Sequence, residues 1–392
     1  MVTTSPPRLT PLEAARALAP RIRAAADEID TQRELPCDLA EAIADAGLFR
    51  MLVPQSLGGS ELDPPTHIQV IEAIARADGS TAWCVNQGSV FATHAAFLPK
   101  EVACQIWAED PRAVIANGPT PISAQAVAVE GGYRVTGRLT FSSGCRHATW
   151  LAGITTIVEQ GRPRLHPDGT PAARYMLFPQ SEADIIDVWH VRGLRGTGSH
   201  QFAVTDLFVP GDRTVSRAAD PVQEPGPLYV YPMGPLFASG FASVAVGVAR
   251  RALDEVIELA GGKKPRGQKY LLRDQAMVQS HIGRAEAIWR ATRAYLHDTV
   301  RSVWAAVAAS GEITLEQRAL LRLAATHTIR QAAEAVDIAY TLAGSTAVFM
   351  NSLLQRCFQD IHVITQHLQG RLAHYETVGQ FFLGIAPETQ RL

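Results

Sequence analysis

A mainly α-helical chain with a β domain at its centre is the fold class that these 392 residues predict. Two observations carry that expectation. Ala- and Leu-rich stretches with helical spacing fill both ends, and short β-like runs between Gly, Pro and Asp turns fill the middle. Strands and helices do not alternate and no GxGxxG loop occurs, which argues against a dinucleotide-binding βαβ fold. The expected division is helical over 1–111, β over 112–222 and helical again over 223–392.

The first block contains PLEAARALAPRIRAAADEI and LPCDLAEAIADAGLF, and Pro54 with the Gly58-Gly59 pair breaks it into short helices. In the middle block AQAVAVE and YRVTGRLTF flank Gly131-Gly132, a hairpin signal, because adjacent glycines supply the positive φ of a tight turn. WLAGITTIV, ARYMLFP, DIIDVWHV and HQFAVTDLFVP read as further strands. Tyr270 to Ser310 holds no Pro and one Gly, which predicts a single helix of about 40 residues. Thr314-Leu-Glu-Gln317 is a capping-box opening for the next helix, and Gly344 is its expected stop. Helices of this length pack side by side in a bundle.

Apolar residues make up 47% and charged residues 19%, enough for a sizeable core in two or three packed units. A net charge of −2 gives no positive field to draw in nucleic acid or an anionic membrane. The run FASGFASVAVGVA from Phe237 is too short to span a bilayer, and the opening MVTTSPPRLTPLEAARALAP lacks the basic start and apolar core of a signal peptide. Cys37, Cys84, Cys104, Cys145 and Cys357 form no Cys-x-x-Cys pair, which fits reduced thiols in the cytoplasm. Neither HExxH nor Glu-x-x-His occurs, so no metal is expected, and no Gly-x-Ser-x-Gly elbow offers a hydrolase nucleophile.

Three stretches could carry chemistry. In FSSGCRHATW, residues 141–150, Ser142 or Ser143 can point inward and Gly144 lets backbone approach a flat ligand closely; an edge strand with two solvated serines fits the same letters. Trp83 can wall such a pocket or fill a helical core. GLRGTGSH, residues 193–200, either offers backbone N–H groups to a ligand or makes a tight connection. In QDIHVITQHLQGR the spacing places Asp360, Ile364, His367 and Arg371 on one helical face, where an imidazole near its own pKa could trade protons. His147 follows Arg146 on a strand that is expected to head outward.

The order of blocks resembles the acyl-CoA dehydrogenase fold over nearly the whole chain. LVPQSLGGSEL, ARADGSTAW, GGYRVTGRLTFSSGCRHATW, GLRGTGSHQF and LLQRCFQDIHVITQHLQG resemble its two-component flavin-dependent monooxygenases, the group D hydroxylases. That resemblance implies an N-terminal helical domain, a small β-barrel and a C-terminal four-helix bundle that assembles a homotetramer. It implies that a separate reductase delivers reduced flavin, FMN or FAD, and that a C4a-hydroperoxyflavin oxygenates a small organic substrate. By resemblance Trp83, Ser142, Ser143, Gly144, Thr197 and Ser199 contact the flavin. Ser143, His367 over the flavin and His94 on the opposite wall are then the candidate catalytic residues, and Phe91, Phe237 and Tyr231 bear on selectivity.

The dehydrogenases of this fold are the rival, with a non-catalytic flavin- or ligand-binding protein as a second. Dehydrogenation needs a carboxylate base, which many relatives carry eight residues after the Asp of a late Arg-Asp pair. Here the pair is Gln359-Asp360 and the eighth residue is Leu368. Glu376 falls eight residues too late, about 12 Å along a continuous helix, and Asp254 on the first bundle helix lies too far along to reach the site. The loop near GGKKPRGQKYLL lacks the Arg-x-x-Phe-Gly that meets the adenosine phosphates of FAD in the dehydrogenases. FMN and FAD therefore both stay open, with Gln275 as a remnant contact.

Overall fold

The computed structural model describes residues 9–121 and 123–387. The first eight residues, part of the opening that reads as no signal peptide, lie outside that range. Six helices come first: α1 (Pro11–Ala24), α2 (Ala26–Gln32), α3 (Cys37–Asp45), α4 (Pro64–Ala75), α5 (Gly79–Phe91) and α6 (Lys100–Ala103). Their starts follow from the sequence. Thr10 and Glu13 form a capping box on α1, and the Asp63 and Asp78 carboxylates accept the N–H groups of Thr66 and Thr81 at the heads of α4 and α5.

The strands come next: β1 (Ile115–Gly118), β2 (Thr120–Pro121), β3 (Gln125–Val129), β4 (Gly132–Ser142), β5 (Trp150–Glu159), β6 (Arg162–Pro163), β7 (Ala173–Pro179), β8 (Asp184–Ile186), β9 (His200–Pro210) and β10 (Thr214–Val215). They form one mixed sheet with the main order β10-β7-β5-β3-β4-β9-β8, in which β3 and β4 make the hairpin expected at Gly131-Gly132. The run DIIDVWHV is strand only at β8; its second half is irregular and is tied down by Asp187, which accepts two hydrogen bonds from Arg33 at 2.8 and 2.7 Å.

The last helices are α7 (Pro227–Val230), α8 (Met233–Gly262), α9 (Ala276–Ser310), α10 (Leu315–Ala343), α11 (Leu353–Gln366) and α12 (Ala373–Phe382). α8 to α11 form the four-helix bundle, and α10 opens on its capping box and stops at Gly344 as expected. The helix expected from Tyr270 begins only at Ala276, because the Leu272 N–H turns back to the Lys263 carbonyl at 2.9 Å to close the α8–α9 hairpin. The expected shared face of Asp360, Ile364, His367 and Arg371 is also shorter: α11 ends at Gln366, His367 caps it in extended conformation, and Arg371 lies beyond a short 3-10 turn. Glu376 is therefore not on a continuation of the same helix; it is exposed on α12.

A single apolar core runs through both helical blocks and a second fills the β region. α8 joins the helical blocks. Its Gly247 lies so close to α4 that a Cβ there would be 2.4 Å from the Ala75 Cβ and 2.8 Å from the Glu72 carbonyl. α8 is also long and apolar enough to cross a membrane, although the run from Phe237 alone reads as too short, but 89% of its apolar window is buried inside the protein. The five cysteines are all free.

Candidate functional site

The opening of the site is decided by a bulge. Between Leu139 and Ser142 the β4–β9 register shifts, and Phe141 takes a left-handed φ of 60° and turns its ring outward. Two consecutive serines, which alternation would send to opposite faces, are therefore both buried. They do different things. The Ser142 hydroxyl has no hydrogen-bond partner among the described residues, whereas the Ser143 hydroxyl accepts the Trp83 indole N–H at 3.0 Å.

Ser143 begins a chain whose direction is forced. Its Oγ lies 2.7 Å from Ser199 Oγ, which lies 2.7 Å from Thr197 Oγ1, and the Thr197 hydroxyl donates to the Leu194 carbonyl at 2.8 Å. Indole N–H can only donate and each hydroxyl has one proton. Thr197 has spent its proton on Leu194, so it accepts from Ser199, and Ser199 accepts from Ser143. Every proton along the wall runs from Trp83 toward Leu194. Gly144, at φ 76°, donates its N–H to the Thr197 carbonyl at 2.8 Å and pins FSSG to GLRGTGSH.

Aromatic rings close the other side. Trp83 stacks on Phe241 with centroids 3.9 Å apart, and the His367 ring stands edge-on to both, 5.0 Å from Trp83 and 4.6 Å from Phe241. The run continues through Phe237 to Phe91, on which His94 stacks at 5.2 Å, and Tyr175 stands edge-on to His94 at 4.9 Å.

The two imidazoles are neutral and opposite in polarity. Burial first, then the guanidinium groups of Arg371 and Arg322, pushes His367 down to about 4; its Nδ1 accepts the Gln369 N–H at 3.3 Å, which leaves the proton on Nε2 as a donor. His94 is pushed down to about 3 by burial and then Arg217, against the pull of the Phe91 carbonyl. Its Nδ1 donates to that carbonyl at 2.8 Å, so its buried Nε2, unpartnered among the described residues, is a bare acceptor.

Trp83, Ser143, Gly144, Thr197 and Ser199 thus come together with His367, and His94 stands at the far end of the aromatic run. Ser142 stays outside the hydroxyl chain. Gln275 is the N-cap of α9, and its buried Nε2 has no hydrogen-bond partner among the described residues. His147 is in a turn rather than on an outgoing strand, with its ring over Gly144. Asp254 is ion-paired with Arg76 and Arg250 at 3.1 and 2.9 Å and lines a separate cleft of about 300 Å³. The sequence reading placed Asp360 on a face with His367 but gave it no role: it lies beneath the GLRGTGSH loop and accepts the Leu194 N–H at 2.6 Å. The signal available was a lone acid on the buried face of α11.

A flat ring with polar edge atoms fits this donor set. Hydroxyl lone pairs and glycine backbone would meet its edge and aromatic rings its planes, and the Nε2 of His94, unpartnered among the described residues, would take a ligand donor.

The family models for the acyl-CoA dehydrogenase N-terminal domain and C-terminal domain match residues 11–98 and 239–371. An indole-3-acetate monooxygenase of Pseudomonas putida is 34% identical over 94% of this chain and 92% of its own. The oxygenase subunit HsaA of a flavin-dependent monooxygenase of Mycobacterium tuberculosis is 32% identical, covering 89% of each chain. Among solved structures, the 3-HSA hydroxylase of Rhodococcus sp. RHA1 superposes with a TM-score of 0.88 at 28% identity, over 97% of this chain and 99% of that one. XiaF from Streptomyces sp., in complex with FADH2 and glycerol, gives 0.87 at 25% identity, with 96% of each chain covered.

Proposed function

This chain belongs to the acyl-CoA dehydrogenase family and is the oxygenase component of a two-component flavin-dependent monooxygenase, and on that premise we propose how its site works and what it takes. The observation that carries the reading is the one-way hydroxyl chain from Trp83 beside two neutral histidines of opposite polarity. Reduced flavin, when bound, supplies the electrons that activate O2, so that one oxygen atom enters the substrate and the other leaves as water.

Ser143, Ser199 and Thr197 hold the flavin edge, and Gly144 keeps the wall close to it. His367 donates a hydrogen bond from Nε2 to oxygen brought against its ring. With a pKa of about 4 it stays neutral at working pH and does not leak a proton at the wrong moment. His94 accepts an O–H or N–H from the substrate and orients it; with a pKa of about 3 it is an anchor rather than a base. Phe91, Phe237, Phe241 and Tyr175 sheathe an apolar ring and exclude water.

The substrate class is accordingly an aromatic compound with a ring or phenolic donor, a reading supported by the indole substrate in the name of the Pseudomonas putida relative. The flavin is FAD, supported by the FADH2 complex of XiaF. Exposed Phe349, Met350 and Leu383 in the C-terminal block support a homotetramer built there, and the free cysteines support a reducing cytoplasm.

The test is to load the protein anaerobically with reduced FAD or FMN, add ¹⁸O2 and a panel of indoles and phenols, and weigh the products. One labelled atom in product, with tighter binding of reduced FAD than of reduced FMN, is expected. Bleaching of oxidised flavin by an acyl-CoA, with no labelled product, would return the dehydrogenase reading.

A further inference from the structure

Leu194 is a non-glycine residue in the left-handed region, with φ 50° and ψ 35°. Its carbonyl ends the hydroxyl chain and also accepts the Trp189 indole N–H at 3.0 Å and the Thr197 N–H at 3.2 Å. Its N–H donates to Asp360 Oδ1 at 2.6 Å. Asp360 is 5% exposed and projects from α11, so the bundle reaches into the β domain to hold one peptide group in a strained setting. The loop lies flush on that helix: a Cβ at Gly193 would be 2.2 Å from the Gln359 carbonyl.

That peptide group decides which way the wall's protons point. While the Leu194 carbonyl takes the Thr197 proton, Ser143, Ser199 and Thr197 can offer lone pairs but no free proton. Reduced flavin carries a ring N–H where oxidised flavin has a bare nitrogen, so an acceptor-only wall suits the reduced form and leaves the oxidised form facing lone pairs with lone pairs.

We propose that Asp360 is a positioning residue that, by clamping Leu194, fixes the direction of the hydroxyl chain and makes the site prefer reduced over oxidised flavin. The inference rests on the flavin reading above. Without the carboxylate, Leu194 leaves its strained conformation, Thr197 loses its acceptor, and the chain can reverse and present a proton to either form.

The setting of Asp360 agrees with this role. Burial above all pushes its carboxyl up to about 7, with the Leu194 N–H and Arg356 pulling down and Asp78 and Asp30 pushing up. Arg251 on α8 and the Cys357 thiol complete the surroundings, around a cavity of about 10 Å³, room for one water. The raised carboxyl means that the clamp weakens as pH falls through about 7, because protonation removes the charge that draws in the Leu194 N–H.

The experiment measures dissociation constants of the full-length protein for oxidised and reduced FAD anaerobically, at several pH values, for wild type, Asp360→Ala and Asp360→Asn. Wild type should bind reduced FAD about tenfold tighter or more, the scale of one mispaired buried polar group, with the preference shrinking below neutral pH. Asp360→Ala should bring the two constants together. Asp360→Asn offers a neutral acceptor like that of the protonated carboxyl, so it should hold the ratio near the wild type's low-pH value at every pH. An unchanged ratio in folded Asp360→Ala overturns the inference, as does a wild type that binds both forms equally. If Asp360→Ala does not fold, Asp360→Asn decides: loss of the pH dependence supports the clamp, and its persistence overturns it. Failure of wild type to bind either form counts instead against the flavin reading itself.

Discussion

Two histidines of the same residue type do opposite work because each spends its Nδ1 on a different backbone group. His367 accepts there and keeps a donor at Nε2; His94 donates there and keeps an acceptor. A glutamine amide can imitate the His367 donor and a methyl group cannot. His367→Ala should therefore cut coupled product formation by about a hundredfold, while His367→Gln recovers a large part of it, as read from product formed per reduced flavin consumed. Both imidazoles lie low, at about 4 and about 3, so neither should give an inflection near neutrality; one that appears there and vanishes in Asp360→Asn belongs to Asp360. The family resemblance put forward His367, His94 and Ser143, and the structure sets Ser143 and His367 both against Trp83. Sequence alone could not separate Ser142 from Ser143, since that depends on one residue, Phe141, crossing into positive φ. Nor could it give Asp360 a role, because its partner is a backbone N–H 166 positions away.

Elements that carry their own start and stop signals were legible. Thr314-Leu-Glu-Gln317 and Gly344 bracket α10, and Gly131 sits in the β3–β4 turn. Elements whose limits depend on distant contacts were not: α9 starts late because the chain folds back to Lys263, and α11 ends at Gln366 because His367 and Gln369 make their own cap. α8 tests how far propensity and packing oppose each other. Ala is the better helix former than Gly by roughly 1 kcal/mol. At Gly247, however, the added Cβ meets the Ala75 Cβ at 2.4 Å and the Glu72 carbonyl at 2.8 Å, and overpacking of that kind costs about 1–3 kcal/mol. Packing is the larger effect, so Gly247→Ala should lower the apparent unfolding temperature, seen by calorimetry, where an exposed helical Gly→Ala change raises it.

For the whole molecule, buried neutral histidines set the acid limit of stability. His67 and His94 are fully enclosed and both lie at about 3. Between that value and the ordinary 6.5, the unfolded chain takes up their protons and the folded chain refuses them. The share of stability that these two groups hold is therefore complete above about 6.5 and is lost as pH falls below it, at about 1.4 kcal/mol per pH unit for each group. Thermal midpoints from pH 7.5 to 5 should trace that loss, and His67→Gln should flatten the slope by about half of this pair's share. The order of the chain has a bearing on manufacture too. α8 is a 30-residue apolar helix that would suit a bilayer by length and composition. The ribosome releases α4 and α5, against which one side of α8 packs, some 150 residues before it emerges, so they can be waiting for it. Its other partners α10 and α11 are still to be made. During that interval the part of α8 that they cover stands bare, and a chaperone or a pause in translation has its best reason to act there.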